Sequence, residues 1–372
     1  MQFIDLNTQY NKYKDEIDKR IQTVLDHGQY IMGPEISELE KTLSVYTGVK
    51  HCITVSNGTH SLEIALRALD IGPGDEVITV AFSWISSAEV ISLVGAKPVF
   101  VDIEPDSYNM NSDLLEQAIT KNTKAIIPVS LFGQMPDIEA INQIAAKHGI
   151  AVIEDAAQSF GASRNGKQSC GASLIGSTSF FPAKPFGCYG DGGALFTDDD
   201  QLAEKMSAIR THGGIKRHYH TLVGTNGRFD TLQAAILLAK WPYFDCEVRK
   251  RAELGERYNQ MLGEFCSIPS ITSGNTHVYA QYTLRTESEK RDKVVELLKE
   301  HGVPSAVYYP KCFHEQPVFA SLGYKWGDLP ESEKASREVF SIPMHPFLTE
   351  EDQERVSETL RQILDSNELI LQ

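Results

Sequence analysis

Short apolar segments alternate with amphipathic segments between residues 51 and 155. Stretches with apolar residues at helical spacing separate the apolar segments, which are CITV (52–55), EVITV (76–80), PVFVDI (98–103), KAIIPVSL (124–131) and IAVIED (150–155). Strands that are apolar on both faces are typical of a parallel sheet whose connections are helices. The pattern therefore predicts an α/β domain with its functional loops at the carboxyl ends of the strands.

Helical periodicity continues on both sides of this region. Two helices joined by a turn are predicted in the first 46 residues, with Tyr30 in the loop between them. Asp230 is expected to cap a helix that ends at Lys240, and a separate polar helix is expected at roughly 245–263. From residue 278 onward, short strand and helix patterns mix. We therefore expect a large domain over residues 1–240 and a small α+β domain over residues 241–372.

Composition narrows the classes of protein that this pattern allows. A length of 372 residues suits two domains, and the net charge of −15 argues against a nucleic-acid surface, which needs clustered Lys and Arg. The polar N-terminus and the lack of any apolar window near 18 residues predict neither a signal peptide nor a membrane span. The six cysteines include no CxxC pair, which excludes a zinc ribbon or disulfide framework and suits a reducing cytoplasm. The eleven histidines include no HExxH motif, and no metal site is predicted.

Lys184 is the candidate for covalent chemistry. It lies between Phe180-Phe181 and a glycine-rich turn that contains Gly187 and Gly190. An amine held in a dry pocket has a lowered pKa, which makes its neutral, nucleophilic form accessible for a Schiff base with a carbonyl. A lysine beside a turn is also a common structural feature, so this interpretation depends on the motifs elsewhere in the chain.

Two strand-to-helix junctions carry groups that suit a planar ligand with a phosphate. Ser56-Asn57-Gly58-Thr59 follows the first predicted strand, and its N–H groups at a helix N-terminus, with the Thr59 hydroxyl, form a candidate phosphate cradle at Gly58. An Asn-Gly turn with a threonine cap is the alternative interpretation. Trp84 follows the second predicted strand and is a candidate for stacking on a planar cofactor, whereas Phe82 is expected in the core.

A carboxylate follows the fifth apolar segment, in the sequence EDAAQ (154–158). A charge at the end of a buried strand is costly without a partner, and a pyridinium nitrogen would be a suitable partner for Asp155. An acid beside that nitrogen keeps it protonated, so that the ring becomes an electron sink. Gln158 can donate to a ring oxygen. The alternative interpretation of Asp155 is a cap for the next turn.

In chain order, these residues are a phosphate cradle, a ring stacker, an acid for a ring nitrogen and a Schiff-base lysine. The chain resembles pyridoxal-phosphate enzymes of the aspartate-aminotransferase type, and more narrowly the sugar-nucleotide aminotransferases of the DegT/DnrJ/EryC1/StrS family. The resemblance is carried by FIDL (3–6), GQYIMGPE (28–35), SNGTHSL (56–62), GPGDEVI (72–78), EDAAQSFGA (154–162), TSFFPAKPFGCYGDGGAL (178–195) and GTNGRFDTLQAAIL (224–237). It implies the fold type I architecture of these transferases, with a mostly parallel sheet in the large domain.

The resemblance implies a role for each matching residue. Lys184 matches the lysine that holds pyridoxal 5'-phosphate and carries the proton, Asp155 the partner of the pyridine nitrogen, and Gln158 the partner of the phenolic oxygen. Trp84 matches the residue that stacks on the ring. The residues that match phosphate ligands are Gly58, Thr59 and Ser179. Asn226 matches an asparagine that reaches the phosphate of the neighbouring subunit, so a homodimer with shared active sites is also implied.

The residues of several motifs are most similar to those of one branch of the family. This branch acts on UDP-2-acetamido-2-deoxy-3-oxo-D-glucuronate in the synthesis of bacterial surface polysaccharide such as O-antigen. The resemblance implies L-glutamate as the amino donor. The sugar carries a carboxylate, for which Arg228 is the first candidate ligand, and an Arg228–Asp230 ion pair is the alternative interpretation. The basic loop HGGIKRHYH (212–220) is a candidate for the diphosphate. The other candidate substrate residues are Tyr30, Tyr308 and Tyr309. Many relatives have a histidine-bearing segment at the position of the last two.

Three alternatives remain open. The first is an aminotransferase for a dTDP- or UDP-linked 3- or 4-keto-deoxyhexose. The second is a pyridoxamine-dependent dehydratase of the same fold, but those relatives replace the lysine, commonly with histidine, so Lys184 counts against it. The third is a non-catalytic regulator that binds a sugar nucleotide, which the combined presence of Lys184, Asp155 and Gln158 disfavours.

Overall fold

The computed structural model describes residues 1–216 and 218–365, apart from the side chain of residue 215. The α-helices of this part are α1 (Leu6–His27), α2 (Pro34–Thr47), α3 (Gly58–Ala68), α4 (Ser86–Leu93), α5 (Leu115–Ala118), α6 (Ile138–His148), α7 (Asp200–Arg210), α8 (Thr231–Leu262), α9 (Ser288–Glu300), α10 (Pro330–Glu338) and α11 (Glu350–Asp365). The strands are β1 (His51–Val55), β2 (Glu76–Val80), β3 (Lys97–Val101), β4 (Thr123–Ile127), β5 (Ala151–Asp155), β6 (Ser163–Arg164), β7 (Lys167–Gln168), β8 (Ile175–Ser179), β9 (Gly193–Thr197), β10 (Gly214–Lys216), β11 (Tyr219–His220), β12 (Tyr282–Arg285) and β13 (Val339–Ile342). Arg217, in the basic loop predicted at 212–220, lies outside the described residues, as do residues 366–372 of the predicted small domain.

The described residues form a central sheet of seven strands in the order β1-β9-β8-β5-β4-β2-β3. Parallel pairing joins β3 to β2, β2 to β4, β4 to β5 and β5 to β8. β9 pairs antiparallel with both β1 and β8, so it is the one reversed strand of this sheet. The prediction of a mostly parallel sheet is confirmed. Because the other strands run the same way, their carboxyl ends meet at one edge.

Helices cover both faces of this sheet. Successive residues of a strand point to opposite faces, and they belong to two different apolar clusters. Val77 belongs to a cluster that contains Leu62 of α3 and Met206 of α7. The next residue, Ile78, belongs to a cluster that contains Ile141 of α6. Full burial of an aliphatic side chain stabilises the fold by about 1.5–3 kcal/mol, which explains why the strands are apolar at consecutive positions.

α8 is one continuous helix of 32 residues, so the prediction of one helix that ends at Lys240 and a separate one at roughly 245–263 is wrong. Proline lacks an N–H and its ring crowds the carbonyl four residues earlier, which is why Pro242 indicated a helix end. Packing outweighs that cost, since Leu238 before the proline and Phe244 after it are buried in one cluster. The predicted cap is only partly present, because Asp230 is the N-cap residue but its side chain makes no cap hydrogen bond.

β12, α9, β13 and α11, which follow α8 in the chain, pack around the second half of that helix. β12 and β13 form an antiparallel pair. Tyr282 of β12, Leu298 of α9 and Leu360 of α11 share an apolar cluster with Tyr258 of α8. The mixture of strand and helix predicted beyond residue 278 is therefore present.

None of the helices that the structure describes is both long and apolar enough to cross a membrane. The same part of the chain contains no group of His, Cys, Asp and Glu side chains arranged to hold a metal ion. The six cysteines are free.

Gly255 in α8 packs directly against a buried tyrosine. A Cβ at this position would lie 2.4 Å from Cε2 of Tyr279, whose ring is held by stacking on His277 and Tyr282. Gly255→Ala is therefore expected to lower the free energy of unfolding by about 1–2 kcal/mol, because overpacking exceeds the gain in helix propensity. Urea unfolding measures this loss. Glu253→Ala, at an exposed position of the same helix, serves as the control, and an unchanged or higher stability of Gly255→Ala would contradict the described packing.

Candidate active site

The loops predicted to be functional meet at the edge of the sheet where the parallel strands end. β1 leads into the first turn of α3, and β2 leads into the segment that contains Trp84. Asp155 is the last residue of β5, and Ser179 is the last residue of β8. The topology of the sheet thus brings together groups from four separate motifs of the sequence.

Gly58 and Thr59 begin α3, where the side chain of Asn57 caps the helix by accepting a hydrogen bond from the N–H of His60. The first N–H groups of a helix have no acceptor within it, so those of Gly58 and Thr59 are free for a ligand. Ser179 lies beside them: a Cβ added to Gly58 would be 2.7 Å from the Cβ of Ser179, which leaves room only for glycine. The arrangement of free N–H groups and a hydroxyl at a helix N-terminus suits a phosphate.

The first turn of α4 connects this cradle to the acid at the end of β5. Ser86 Oγ and Thr59 Oγ1 share a hydrogen bond of 2.7 Å. Ser87 Oγ donates to Asp155 Oδ2, also at 2.7 Å. Neither serine was predicted from the sequence, although both lie at a helix N-terminus after a strand, which is the signal that marked Gly58.

Asp155 is only 6% exposed, and its burial raises the pKa of the carboxyl. The hydrogen bonds from Ser87 and from the N–H of Ala157, at 3.2 Å, act in the opposite direction, as does the charge of Lys184. The hydrogen-bond donors to Asp155 among the described residues are thus neutral. A carboxylate in this environment gains from a cationic partner.

Lys184 lies in the turn that follows β8. Its N–H donates to the Phe181 carbonyl at 2.8 Å, but its Nζ makes no hydrogen bond to any residue that the structure describes. Burial lowers the pKa of the amine to about 8, and the charge of Asp155 opposes this shift. The predicted pKa shift is confirmed in direction, and the neutral amine is accessible near neutral pH.

Gln158 and two aromatic residues line the region beside Asp155. The N–H of Phe132 donates to Gln158 Oε1 at 3.0 Å, which orients the amide so that Nε2 donates to the Tyr309 hydroxyl at 3.1 Å. The ring of Tyr309 lies 6.3 Å from that of Trp84 and 5.7 Å from that of Tyr308. Trp84 remains 59% exposed, so its ring has surface available for a planar ligand.

The segment that contains Asn226 and Arg228 lies next to the cradle, because the Gly227 carbonyl accepts a hydrogen bond of 2.9 Å from the N–H of Ser56. The side chain of Asn226 is exposed. Arg228 Nε is buried without a hydrogen-bond partner, and within the described ranges Arg228 forms no ion pair. The alternative interpretation, an Arg228–Asp230 pair, is therefore wrong.

Several apolar side chains around this region are exposed. The carbonyl of Tyr30 accepts a hydrogen bond from the N–H of Thr231, and Ile31 forms a β-bridge with Asp230, so this loop lies beside the start of α8. The exposed apolar residues of the region are Tyr30, Ile31, Met32, Trp84 and Phe181. Exposed apolar surface of this extent at a ligand site is typical of an interaction surface.

The residues present fit pyridoxal phosphate. A free helix N-terminus suits its phosphate, and a buried acid with neutral donors suits its ring nitrogen. An amine with a lowered pKa and no hydrogen-bond partner suits its aldehyde. A mostly parallel sheet with this site at its strand ends defines a fold type I pyridoxal-phosphate enzyme.

The chain belongs to the DegT/DnrJ/EryC1/StrS aminotransferase family, whose profile matches residues 11–361. It is 52% identical over 349 residues to the UDP-2-acetamido-2-deoxy-3-oxo-D-glucuronate aminotransferase of Pseudomonas aeruginosa, covering 94% of this chain and 96% of that protein. It is 46% identical to the pleiotropic regulatory protein of Geobacillus stearothermophilus, covering 96% of each. The crystal structure of NtdA from Bacillus subtilis with the cofactor PMP bound matches with a TM-score of 0.90 at 33% identity, covering 98% of this chain and 83% of that one. The chain is a pyridoxal-phosphate-dependent aminotransferase, as the resemblance implied.

Proposed function

We propose that this enzyme transfers the amino group of L-glutamate to C3 of UDP-2-acetamido-2-deoxy-3-oxo-D-glucuronate, for the synthesis of surface polysaccharide such as O-antigen. The observation that carries the choice of a uronate is the buried Nε of Arg228, which has no hydrogen-bond partner among the described residues and lies in the segment beside the cradle. The substrate in the name of the Pseudomonas aeruginosa relative supports the same choice.

Arg228 suits a carboxylate for a physical reason. A buried guanidinium N–H without an acceptor is unfavourable, because the group has lost its hydration and gained nothing in exchange. A carboxylate accepts two parallel hydrogen bonds from the guanidinium fork, and such charge-assisted pairs are the strong ones. A sugar with a hydroxymethyl or methyl group at the same place would leave Arg228 unpaired.

The cofactor is proposed to bind across the strand ends. Bound pyridoxal phosphate supplies an aldehyde that takes up an amine and a ring that draws electrons from the adjacent carbon. The N–H groups of Gly58 and Thr59 and the hydroxyl of Ser179 would hold the phosphate. The ring of Trp84 would stack on the pyridine. These contacts would orient the cofactor at the strand ends.

Three side chains are proposed to perform the chemistry. Asp155, buried among neutral donors, would keep a proton on the ring nitrogen. Gln158 Nε2, oriented by the N–H of Phe132, would donate to the ring oxygen. Lys184 Nζ would hold the cofactor and, once the amino donor has taken its place, would remove and return the proton at the reacting carbon. A pKa near 8 suits both directions of that transfer.

A homodimer with shared active sites is part of the proposal. Asn226 would reach the phosphate of the neighbouring subunit, since its exposed side chain projects from a segment beside the cradle. The exposed apolar side chains around the site, among them Tyr30 and Phe181, would be covered by a second copy. Burial of such a patch is what drives most protein association.

Further parts of the proposal concern the surroundings of the sugar. Tyr30, Tyr308 and Tyr309 are proposed substrate contacts, and the loop 212–220 is proposed to meet the diphosphate.

The division into a large domain, 1–240, and a small domain, 241–372, is also kept as a proposal, with the boundary inside α8. A cytoplasmic location is proposed because the six cysteines are free, which suits a reducing compartment.

The Arg228→Gln variant is expected to lose kcat/KM for the 3-oxo-uronate by about 100-fold, since truncating one partner of a buried charge pair costs about 2–5 kcal/mol. With the matched 3-oxo sugar that has a hydroxymethyl group in place of the carboxylate, kcat/KM is expected to change by less than about threefold. Coupled assay of 2-oxoglutarate release measures both values. Arg249→Gln, at an exposed position of α8, is the control. Equal losses with both sugars would rule out carboxylate recognition by Arg228.

The function itself is tested with a panel of ketosugar nucleotides and glutamate as donor. The proposal expects amination of the 3-oxo-uronate in preference to 4-keto-6-deoxy sugars linked to dTDP or UDP. Preference for a keto-deoxyhexose would replace the proposed substrate with the alternative one. The Geobacillus relative is named as a regulatory protein, so a regulatory role is a further outcome that this test distinguishes. That role would be favoured if none of the sugars on the panel were aminated.

A further inference from the structure

Lys240 of α8 is a buried lysine that the proposed mechanism does not use. It is 4% exposed, and burial lowers the pKa of its amine to about 8, against the charge of Glu247. Nζ donates to the carbonyl of Gly187 and lies 5.4 Å from the ring centroid of Tyr189. Within residues 1–216 and 218–365, no carboxylate forms an ion pair with it. Since a buried amine is costly unless its hydrogen bonds are made, the contact with Gly187 points to a specific role.

The carbonyl that Lys240 contacts belongs to the peptide unit that closes the turn of Lys184. The N–H of the same peptide unit is that of Cys188, and it donates to the Phe180 carbonyl at 2.8 Å. Phe180 directly follows β8. One peptide unit is thus held at both ends, by Lys240 at its oxygen and by the Phe180 carbonyl at its nitrogen. Residues 181–187 form the loop between Phe180 and Cys188.

Further contacts, besides these two hydrogen bonds, restrict the conformation of residues 181–187. A Cβ added to Gly187 would lie 2.5 Å from the carbonyl oxygen of Pro182, so the two sides of the turn touch. The N–H of Lys184 donates to the Phe181 carbonyl inside the loop. Phe186, next to the closing peptide unit, is buried in the cluster that also contains Leu238 of α8. A change in the orientation of the closing peptide unit would therefore move the backbone of Lys184.

We propose that Lys240 is a positioning residue for Lys184, acting through the peptide unit between Gly187 and Cys188. Its ammonium orients that unit, and the unit fixes the turn so that Lys184 Nζ stays beside Asp155. The inference rests on the catalytic role proposed above for Lys184. Its consequence for the reaction is geometric, because a displacement of about 1 Å at a reacting group lowers the rate by about 100-fold.

Hydrogen exchange of the protein freed of cofactor tests the role of Lys240 without any assay of activity. In Lys240→Met, the N–H groups of Lys184 and Cys188 are expected to exchange about tenfold faster than in the unmodified protein, while those of β5 keep their rates. Lys240→Arg retains a cationic donor and is expected to restore part of the protection. Lys250→Met removes an exposed lysine from the same helix and is the matched control.

The loaded enzyme gives a second readout. In Lys240→Met, kcat is expected to fall about tenfold or more while KM for glutamate stays within about threefold, because the defect lies in the position of Lys184 and not in substrate binding. Unchanged exchange at Lys184 and Cys188, or faster exchange throughout the chain including β5, would overturn the proposal. If Lys240→Met does not fold, Lys240→Gln carries the same test. The exchange result does not depend on catalysis by Lys184, so its failure is distinguishable from a failure of the proposed function.

Discussion

A Lys184→Ala protein is expected to lose aminotransferase turnover by about 10⁴-fold or more and to lack the yellow absorbance of lysine-bound pyridoxal phosphate. The reason is that the proposed function gives one amine two tasks, which are to hold the cofactor and to move the proton at the reacting carbon. No other side chain described beside Asp155 offers an amine. Absorbance spectra and release of 2-oxoglutarate from glutamate measure the two losses.

Two controls separate chemistry from folding in this experiment. Lys184→Arg keeps a positive charge in the turn but forms no covalent link, so it is expected to be as inactive as Lys184→Ala. Lys205→Ala removes a lysine whose described partner is Asp70 at the surface, and it is expected to behave like the unmodified enzyme. A normal absorbance band in Lys184→Ala would refute the assignment of the lysine.

Asp155→Asn is expected to lower kcat by about 10²–10³-fold, the usual effect of removing one preorganised electrostatic group from an active site. Asparagine has the shape of aspartate and can still accept the hydrogen bond from Ser87, but it carries no charge to keep the ring nitrogen protonated. The loss should appear in the half-reaction with glutamate, measured by stopped-flow absorbance. The pyridoxal phosphate content of the protein should stay close to normal, because the phosphate cradle is untouched.

Ser87→Ala provides the comparison for Asp155→Asn. It removes one hydrogen bond from Asp155 and leaves the charge in place, so kcat is expected to fall by about tenfold or less. If Ser87→Ala and Asp155→Asn had equal effects, the contribution of Asp155 would be one of packing and not of charge.

Much of the fold could be predicted from the sequence because burial imposes a simple pattern. The strands of the parallel sheet are apolar at consecutive positions, and the structure places Val77 and Ile78 in separate clusters on its two faces. The reversed direction of β9 has no such signature, since a turn of glycines can return the chain in either direction. The continuity of α8 was also missed, because the local penalty of Pro242 is visible in the sequence and the packing of Phe244 is not.

The residues of the candidate site that could be predicted are those whose type is unusual at their position in the sequence. Lys184 among aromatic and glycine residues and Asp155 at a buried strand end are of this kind, and both lie at the predicted edge of the sheet. Ser86 and Ser87 were missed because serine at a helix N-terminus is ordinary. The sequence alone could not decide whether Arg228 binds the substrate or forms an ion pair with Asp230. Two residues that are this close along the chain can form an ion pair, and only the structure shows that these two do not.

Lys240 shows the limit of prediction from the sequence most clearly. Its contact with Gly187 joins residues 53 positions apart, and nothing in the sequence around it distinguishes it from a surface lysine of a helix. Burial at 4% exposure is a property of the assembled fold. Among the described residues, burial therefore lowers the pKa of both Lys184 and Lys240, and only Lys184 is proposed to hold the cofactor.

Borohydride reduction of the loaded enzyme, followed by peptide mapping by mass spectrometry, identifies the lysine that holds the cofactor. Reduction makes the bond between the cofactor and its lysine permanent, so the modified residue can be read from the fragments. We expect the cofactor to be attached to Lys184, in the peptide that spans residues 181–188. Attachment to Lys240, or to any other lysine, would contradict this expectation.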